Sequence, residues 1–373
     1  MALMDERPEP RFDWFVPIDG DGSYIGTLSA ERSPTFDYLR QVVETAEECG
    51  FYSLLIPTRF GNGLFDENAP LAETWTTATA LAALSRRIRF LVAVRPGFIS
   101  VGLFAQMASA LDNISGGRLD VNIVPGGIQT DMERLGELTD HSERYARAEE
   151  FISACRALWN SEGPVDFDGK FVRLKGALCS PAPIGSGPQF YIGGASERAL
   201  ELTGRQGDVY LCWIEPRDKV ALRLEAAAQS FRAMGRTPSL GIRTHLILRD
   251  TEEEAWRAAD ELISMADERV CRQRQMAFAG SPMVGQQAQI QRVDQHKLSD
   301  HLWNGISTVR VNCGTAIVGN PEQVSDELLA HWRMGVDEFI LSGFPHVEEC
   351  LRVASDLLPL VKEKIRLERC SRS

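Results

Sequence analysis

The run LGIRTHLIL, residues 240–248, poses the question that decides the fold. Leu240, Ile242, Leu246, Ile247 and Leu248 read as a buried strand, yet Arg243 and His245 lie inside it. Residues two apart on a strand share a face. A cation and an imidazole therefore look out together from an element that belongs inside the protein, and burying an unpaired charge is costly. Ile242 and Leu246 alternate with them and take the opposite face for the core. Such a strand needs an apolar surface on one side and a polar, enclosed one on the other.

The rest of the chain points to an architecture with both. Short apolar runs at 12–17, 53–58, 88–96, 118–126, 190–194, 208–213, 240–248 and 338–342 read as strands. Helical periods follow them, as at 34–50, where Leu39, Val42, Val43, Ala46 and Cys49 recur and Gly50 closes the helix. Helices are also expected at 71–85, from Ser100 to Gly116-Gly117, at 142–159, from Ser196 to Gln206, and over 346–365. Alternating strands and helices imply a parallel sheet, and this number of units is that of a TIM (β/α)8 barrel. In a barrel one strand face meets the helices and the other the lumen, and active sites lie at the C-terminal strand ends. Arg243 and His245 then face the lumen.

A minimal barrel takes about 250 residues, so a single barrel over 1–373 leaves room for insertions. Two are expected. Residues 160–188 read as a hairpin with a Pro/Gly-rich loop, and 265–320 as a polar, Gln-rich mobile lid. The loop 59–70 is long for its kind. Net charge is −12 and pI about 5.1, which argues against nucleic acid and anionic membranes as partners. No apolar run is long enough to span a membrane, and the N-terminus lacks the apolar core of a signal peptide. The eight cysteines are scattered, with no metal-type spacing. Reduced thiols in the cytoplasm are the expected state.

Polar or special residues recur at the strand ends: Asp19, Thr58, Arg95, Asn122, Trp213 and Phe344. After the fifth strand comes YIGGASERAL, 191–200. Gly193 and Gly194 allow close approach to a ligand, and a helix starting at Ser196 offers free N–H groups to a phosphate. A tight strand-to-helix turn explains the same glycines equally well.

Taken in order, FVPIDGDGSYIGT (15–27), RFLVAVRP (89–96), LDNISGGRLDVNIV (111–124), DHSERYARAEEF (140–151), YIGGASERALEL (191–202), GIRTHLILRDTEEEAW (241–256), VGQQ (284–287), LWNGI (302–306), CGTAIVG (313–319) and LSGFPHVEE (341–349) resemble the bacterial-luciferase-like flavin-dependent monooxygenases, and among them the alkanesulfonate monooxygenases. The resemblance runs from Trp14 to about Leu360. It implies a TIM barrel that binds FMN as FMNH2, made by a separate NAD(P)H-dependent flavin reductase, and uses O2 to cleave the C–S bond of an organosulfonate to an aldehyde and sulfite. It also implies a homodimer or homotetramer. No GxGxxG nicotinamide fingerprint is present, in keeping with reduced flavin made elsewhere.

By the same resemblance, Arg243, His245 and Arg310 are the catalytic residues. A guanidinium binds two sulfonate oxygens at once and keeps its charge. His245, with an intrinsic pKa of about 6.5, can orient an oxygen species or move a proton. A structural ion pair in the lumen is the competing reading for Arg243 and His245, a solvated loop charge for Arg310, and core packing for Trp213. Thr58, Asn122, His141, Tyr145, Gly194, Ala195 and Ser196 are the flavin-side residues, with Tyr145 and the GGAS turn on the phosphate. Helix capping is the alternative for His141.

Trp213, Asp19 and Phe344 are expected on the substrate side, and two of these depart from the family pattern. Alkanesulfonate enzymes carry His where Asp19 stands, Tyr where Phe344 stands, and a Cys after the second strand that is missing here. The loop after that strand is longer by about nine residues. Phe344 cannot donate a hydrogen bond, while Asp19 can bind hydroxyls. This contrast suggests a sulfonate with a polar, hydroxylated body, a sulfosugar such as sulfoquinovose, whose hydroxyls Asp19 and the loop 59–73 read, beside the alkanesulfonate of the family. A sulfone or other non-sulfonate monooxygenase, a deazaflavin-dependent oxidoreductase and a non-catalytic flavin binder are the alternatives.

Overall fold

The computed structural model describes residues 7, 9–127, 129–279 and 296–371. Its strands are β1 (Arg11–Phe15), β2 (Ser53–Ile56), β3 (Arg89–Val94), β4 (Leu119–Ile123), β5 (Val165–Asp168), β6 (Arg173–Ala177), β7 (Phe190–Gly193), β8 (Val209–Trp213), β9 (Leu240–Leu248), β10 (Leu302–Trp303), β11 (Ala316–Gly319) and β12 (Glu338–Ser342). Eight of them pair in parallel in the order β1-β2-β3-β4-β7-β8-β9-β12, and β12 returns to β1. The sheet is thus a closed (β/α)8 barrel. Its eight strands are the eight apolar runs of the sequence.

Local chemistry starts the helices where the periodicity places them. Thr35 caps Phe36–Glu48 by accepting from Tyr38 N, and Asp140 caps His141–Asn160 by accepting from Ser142 N and Glu143 N. Thr251 and Glu254 form a capping box on Glu252–Ile263, as do Asn320 and Gln323 on Pro321–Arg333. Each such cap contributes about 1 kcal/mol. Alternation then sorts the strands. Trp14, Leu54, Ile56, Phe90, Val92, Ile242 and Leu246 pack against helices. Phe15, Leu55, Leu91, Tyr191, Val209, Leu211 and Ile340 fill the lumen.

The floor of the lumen is polar. Arg11 pairs with Glu338, Arg89 Nε donates to Asp120 Oδ2 at 2.8 Å, and Tyr191 Oη donates to Glu338 Oε2 at 3.2 Å. Asp13, fully buried, faces Glu338, and burial together with that neighbour pushes it well above the usual carboxylate range. Burial beside Glu338 therefore favours the protonated form of Asp13.

β9 shapes the other end. It is nine residues long, against four to six for the other barrel strands. Its first half pairs with β8 as far as Trp213↔Arg243, and its other edge with β12 as far as Ser342↔His245. Beyond that, β11 takes over the edge β8 has left, from Ala316↔His245 to Gly319↔Leu248. A second apolar cluster (Ile25, Phe65, Ile247, Trp303, Ile306, Val309, Phe344) packs the insertion onto this mouth. The hairpin β5–β6 forms a separate two-stranded sheet within 160–188. Of the expected lid, Glu268–Ala279 is a helix and Gly305–Thr308 a short 3-10 turn. VGQQ (284–287) lies outside the described residues, as does the rest of 280–295. Among the described residues no helix is long and apolar enough to cross a membrane.

Candidate active site

A cavity of about 180 Å³ opens at the C-terminal strand ends. Thr58 follows β2, Asn122 stands on β4, Gly193–Ser196 follow β7, Trp213 ends β8 and Arg243 comes from β9; all of them line it, with His141 and Tyr145 from one helix start. The structure thus gathers every flavin-side candidate around one space, with Trp213 and Arg243 at its far wall.

The near wall is built for close approach. Gly194 has φ +138°, and a Cβ there would lie 2.7 Å from Ala199 Cβ and 3.3 Å from Tyr145 Oη. Tyr210 Oη donates to Gly194 O at 2.6 Å and fixes the turn. Ser196 Oγ accepts from Ala199 N at 3.2 Å, which caps the helix Glu197–Gln206 and leaves its remaining first-turn N–H groups facing out. Burial raises the Tyr145 hydroxyl, so it stays a donor. His141 tilts against the Tyr145 ring at 5.0 Å. Burial and then Arg144 lower its pKa, which favours the neutral ring.

Two further arginines, Arg310 and Arg59, are buried near Arg243. The Arg243 guanidinium lies 4.1 Å over the Phe15 ring. Arg310 lies 5.3 Å from the same ring and 6.0 Å from Phe344. Arg243 is 7% exposed and Arg310 1%, yet Nε and Nη2 of both lack hydrogen-bond partners. Unpaired buried cations are costly. Burial pushes Arg243 down to about 10 with help from Arg59, and pushes Arg310 well below its ordinary value with help from Arg59 and Arg243. An anion placed among them relieves that cost.

His245 does not line the cavity. Its Nε2 is 3.1 Å from Cys313 O and its Nδ1 2.8 Å from Ser342 Oγ. A carbonyl only accepts, so Nε2 carries the proton and Nδ1 accepts from the Ser342 hydroxyl. Burial, then Arg310 and Arg243, hold the ring well below its ordinary pKa. The ring stacks on Phe344 at 5.4 Å. His245 thus appears as a neutral brace between β9, β12 and the turn after Arg310.

Asp19 is placed differently from the expectation that it reads substrate hydroxyls. It is 1% exposed and does not line the cavity. Its Oδ2 stands 2.9 Å from Arg59 Nε, and its Oδ1 accepts from Gly63 N at 2.7 Å. A carboxylate buried beside arginines is stabilised by pairing, and here the loop 59–70 provides the pair. Arg59 escaped sequence reasoning because it sits in that loop, where no periodicity marks it. Phe15 was hidden as one more apolar strand residue. Asn312, which also lines the cavity, carries its signal only in the backbone, at φ +76°.

A family model described as luciferase-like monooxygenase matches residues 11–338. The chain belongs to the luciferase-like monooxygenases. Among solved structures it resembles riboflavin lyase RcaE, solved with a modified FMN and riboflavin, at TM-score 0.80 and 18% identity, covering 96% of this chain and 92% of that one. DmoA from Hyphomicrobium sulfonivorans gives 0.78 at 18% identity, covering 96% and 89%. The EDTA monooxygenase EmoA from Chelativorans sp. BNC1 gives 0.76 at 18%, covering 96% and 94%. At such identities the likeness is one of fold. In this luciferase-like monooxygenase, the chemistry has to be argued from the residues at the barrel mouth.

Proposed function

We propose that this luciferase-like monooxygenase takes reduced FMN from a separate flavin reductase and uses O2 to desulfonate an organosulfonate. One observation carries the reading: the Arg243 guanidinium, with Nε and Nη2 unpartnered, lines the cavity that holds the Gly194–Ser196 turn, and Arg310, equally unpartnered, is buried behind it over the same Phe15 ring. The guanidinium pair fits a permanent anion, which pairs with the cations that burial disfavours. The turn fits a phosphate, since a Cβ at position 194 would fill the approach to Tyr145 and the helix start.

FMN is held in this reading by Tyr145, Ala195 and Ser196 at the phosphate and by Asn122, Thr58 and His141 along the ring, with Gly194 leaving the space. Bound in its reduced form, it supplies the electron pair that O2 activation requires. The chain's own groups do the rest. Arg243 and Arg310 bind the sulfonate oxygens and stabilise negative charge that develops beside them. Phe15 and Phe344 keep water from the guanidiniums. Trp213 forms the wall between sulfonate and flavin. His245 keeps the turn after Arg310 in place. One sulfonate, one O2 and one reduced flavin yield an aldehyde, hydrogensulfite, water and oxidised flavin.

Asp19 is engaged with Arg59, which supports an alkanesulfonate over a sulfosugar. The test is sulfite release with FMN, NAD(P)H, a flavin reductase and O2. Sulfite from linear alkanesulfonates is expected. Sulfite from sulfoquinovose alone returns the substrate to the sugar class. No sulfite from any sulfonate, with FMN still bound, overturns the proposal.

A further inference from the structure

We infer that Arg59 is a third anion-binding guanidinium, positioned by Asp19, and that the three arginines together fit a head group with three acceptor oxygens. This rests on the sulfonate reading and narrows it. Arg59 is 9% exposed and its Nη2 has no hydrogen-bond partner. Arg243 and Arg310 both lie over the Phe15 ring, at 4.1 and 5.3 Å, and Arg59 Nη1 lies beside Gly63, whose carbonyl accepts from Val311 N, next to Arg310; the charges of Arg59 and Asp19 act on both arginines with opposite sign. The four groups therefore form one cluster, three cations and one carboxylate, in which Asp19 is an internal counter-ion.

The loop is built to present Arg59. Asn62 Nδ2 donates to Asp19 O at 2.7 Å and to Pro70 O at 2.9 Å, closing the loop on the end of β1. Val311 N donates to Gly63 O at 3.1 Å. Arg274 ties Asn62 O to Val309 O, at 3.1 Å each. The loop carrying Arg59 is thereby clamped to the segment carrying Arg310. A Cβ at Gly63 would fall 2.5 Å from Arg59 Nη1, so the glycine leaves space for the guanidinium.

Geometry then selects the head group. A carboxylate or a sulfone presents two oxygens, which three guanidiniums would have to share. A sulfonate presents three. Each guanidinium has a rigid fork of donors, so a missing oxygen is felt as an unpaired buried donor. Arg59 is in this sense a specificity-determining residue, and Asp19 a positioning one.

The test compares 1-pentanesulfonate with hexanoate, matched in chain length, by calorimetry with and without FMN. Wild type is expected to prefer the sulfonate. The double variant Asp19→Asn/Arg59→Met, which removes the pair as a unit, is expected to lose about 10–100-fold in sulfonate affinity while hexanoate changes little. Arg59→Lys, which keeps the pair with Asp19 but not the fork, is expected to lose less and provides the second, milder variant. If both variants keep full sulfonate preference while Arg243→Met loses it, Arg59 is no anion ligand and the sulfonate reading stands. If wild type binds no sulfonate, the underlying reading fails instead. Asp19→Asn alone is expected to melt lower without an anion and to recover with 1-pentanesulfonate. A melting loss that the anion does not reverse overturns the counter-ion role.

Discussion

Replacing Arg243 by Met should lower activity and raise stability together. Its Nε and Nη2 are the donors left for a ligand. A hydrogen bond to a charged group contributes about 1.5–3 kcal/mol, so losing two costs about 3–6 kcal/mol, or about 10²–10⁴ in kcat/KM. The unliganded protein responds in the opposite sense. Burial pushes this guanidinium down from its ordinary range to about 10. At about 1.4 kcal/mol per pH unit, the buried charge costs about 3 kcal/mol. The sign follows from linkage: a cation depressed in the folded state weakens folding at every pH below its folded value, so the penalty is complete at neutral pH. Methionine fills similar space on Phe15, and losing the cation–π contact returns about 0.5–2 kcal/mol. A net gain of about 1–2.5 kcal/mol remains, which raises Tm by about 1–4 °C. Steady-state kinetics and thermal melts in a buffer free of sulfate and phosphate read both effects. A variant that melts well below wild type shows Arg243 to be a structural cation, and an unchanged kcat/KM removes it from the site.

Three further expectations follow from the same geometry. His245 should remain neutral over about pH 6 to 8, because burial, Arg310 and Arg243 depress it; an NMR titration with a midpoint near the ordinary imidazole value would show that the ring is not enclosed by these cations. Gly194→Ala should weaken FMN binding about 10–100-fold in a fluorescence titration, since the positive φ and the 2.7 Å approach to Ala199 store about 1–3 kcal/mol of strain; unchanged affinity would place the phosphate elsewhere. Asp13 is raised in the folded state, so it favours folding at low pH, and that contribution is lost as pH climbs above about 4 through the raised value. Asp13→Asn should therefore lose less Tm than wild type between about pH 5 and 8, and parallel melting curves would deny the raised carboxyl.

The eight barrel strands were legible because each is a short apolar run bounded by turns, and hydrophobic periodicity is a local signal. β11 was not. AIVG is only four residues long, and it becomes a strand because β9 extends past the end of β8 and leaves an edge to pair with. The length of LGIRTHLIL was the available clue. Arg243, Tyr145 and Ser196 could be placed at the mouth from strand register and helix starts alone. Asp19 could not be interpreted that way. Its role depends on Arg59, forty positions later in a loop with no period, and only closure of the barrel brings the two to 2.9 Å. The sequence shows that His245 faces the lumen but not its partners, Cys313 O and Ser342 Oγ, which engage both ring nitrogens from distant segments.

The most direct measurement is a single turnover without any reductase. FMN is reduced photochemically, bound to the protein anaerobically with 1-pentanesulfonate, and mixed with O2. One sulfite per reduced flavin, lost in Arg243→Met, is the predicted outcome. Flavin that reoxidises fully with hydrogen peroxide as its only product, and no sulfite, means that the arginine cluster serves some other anion.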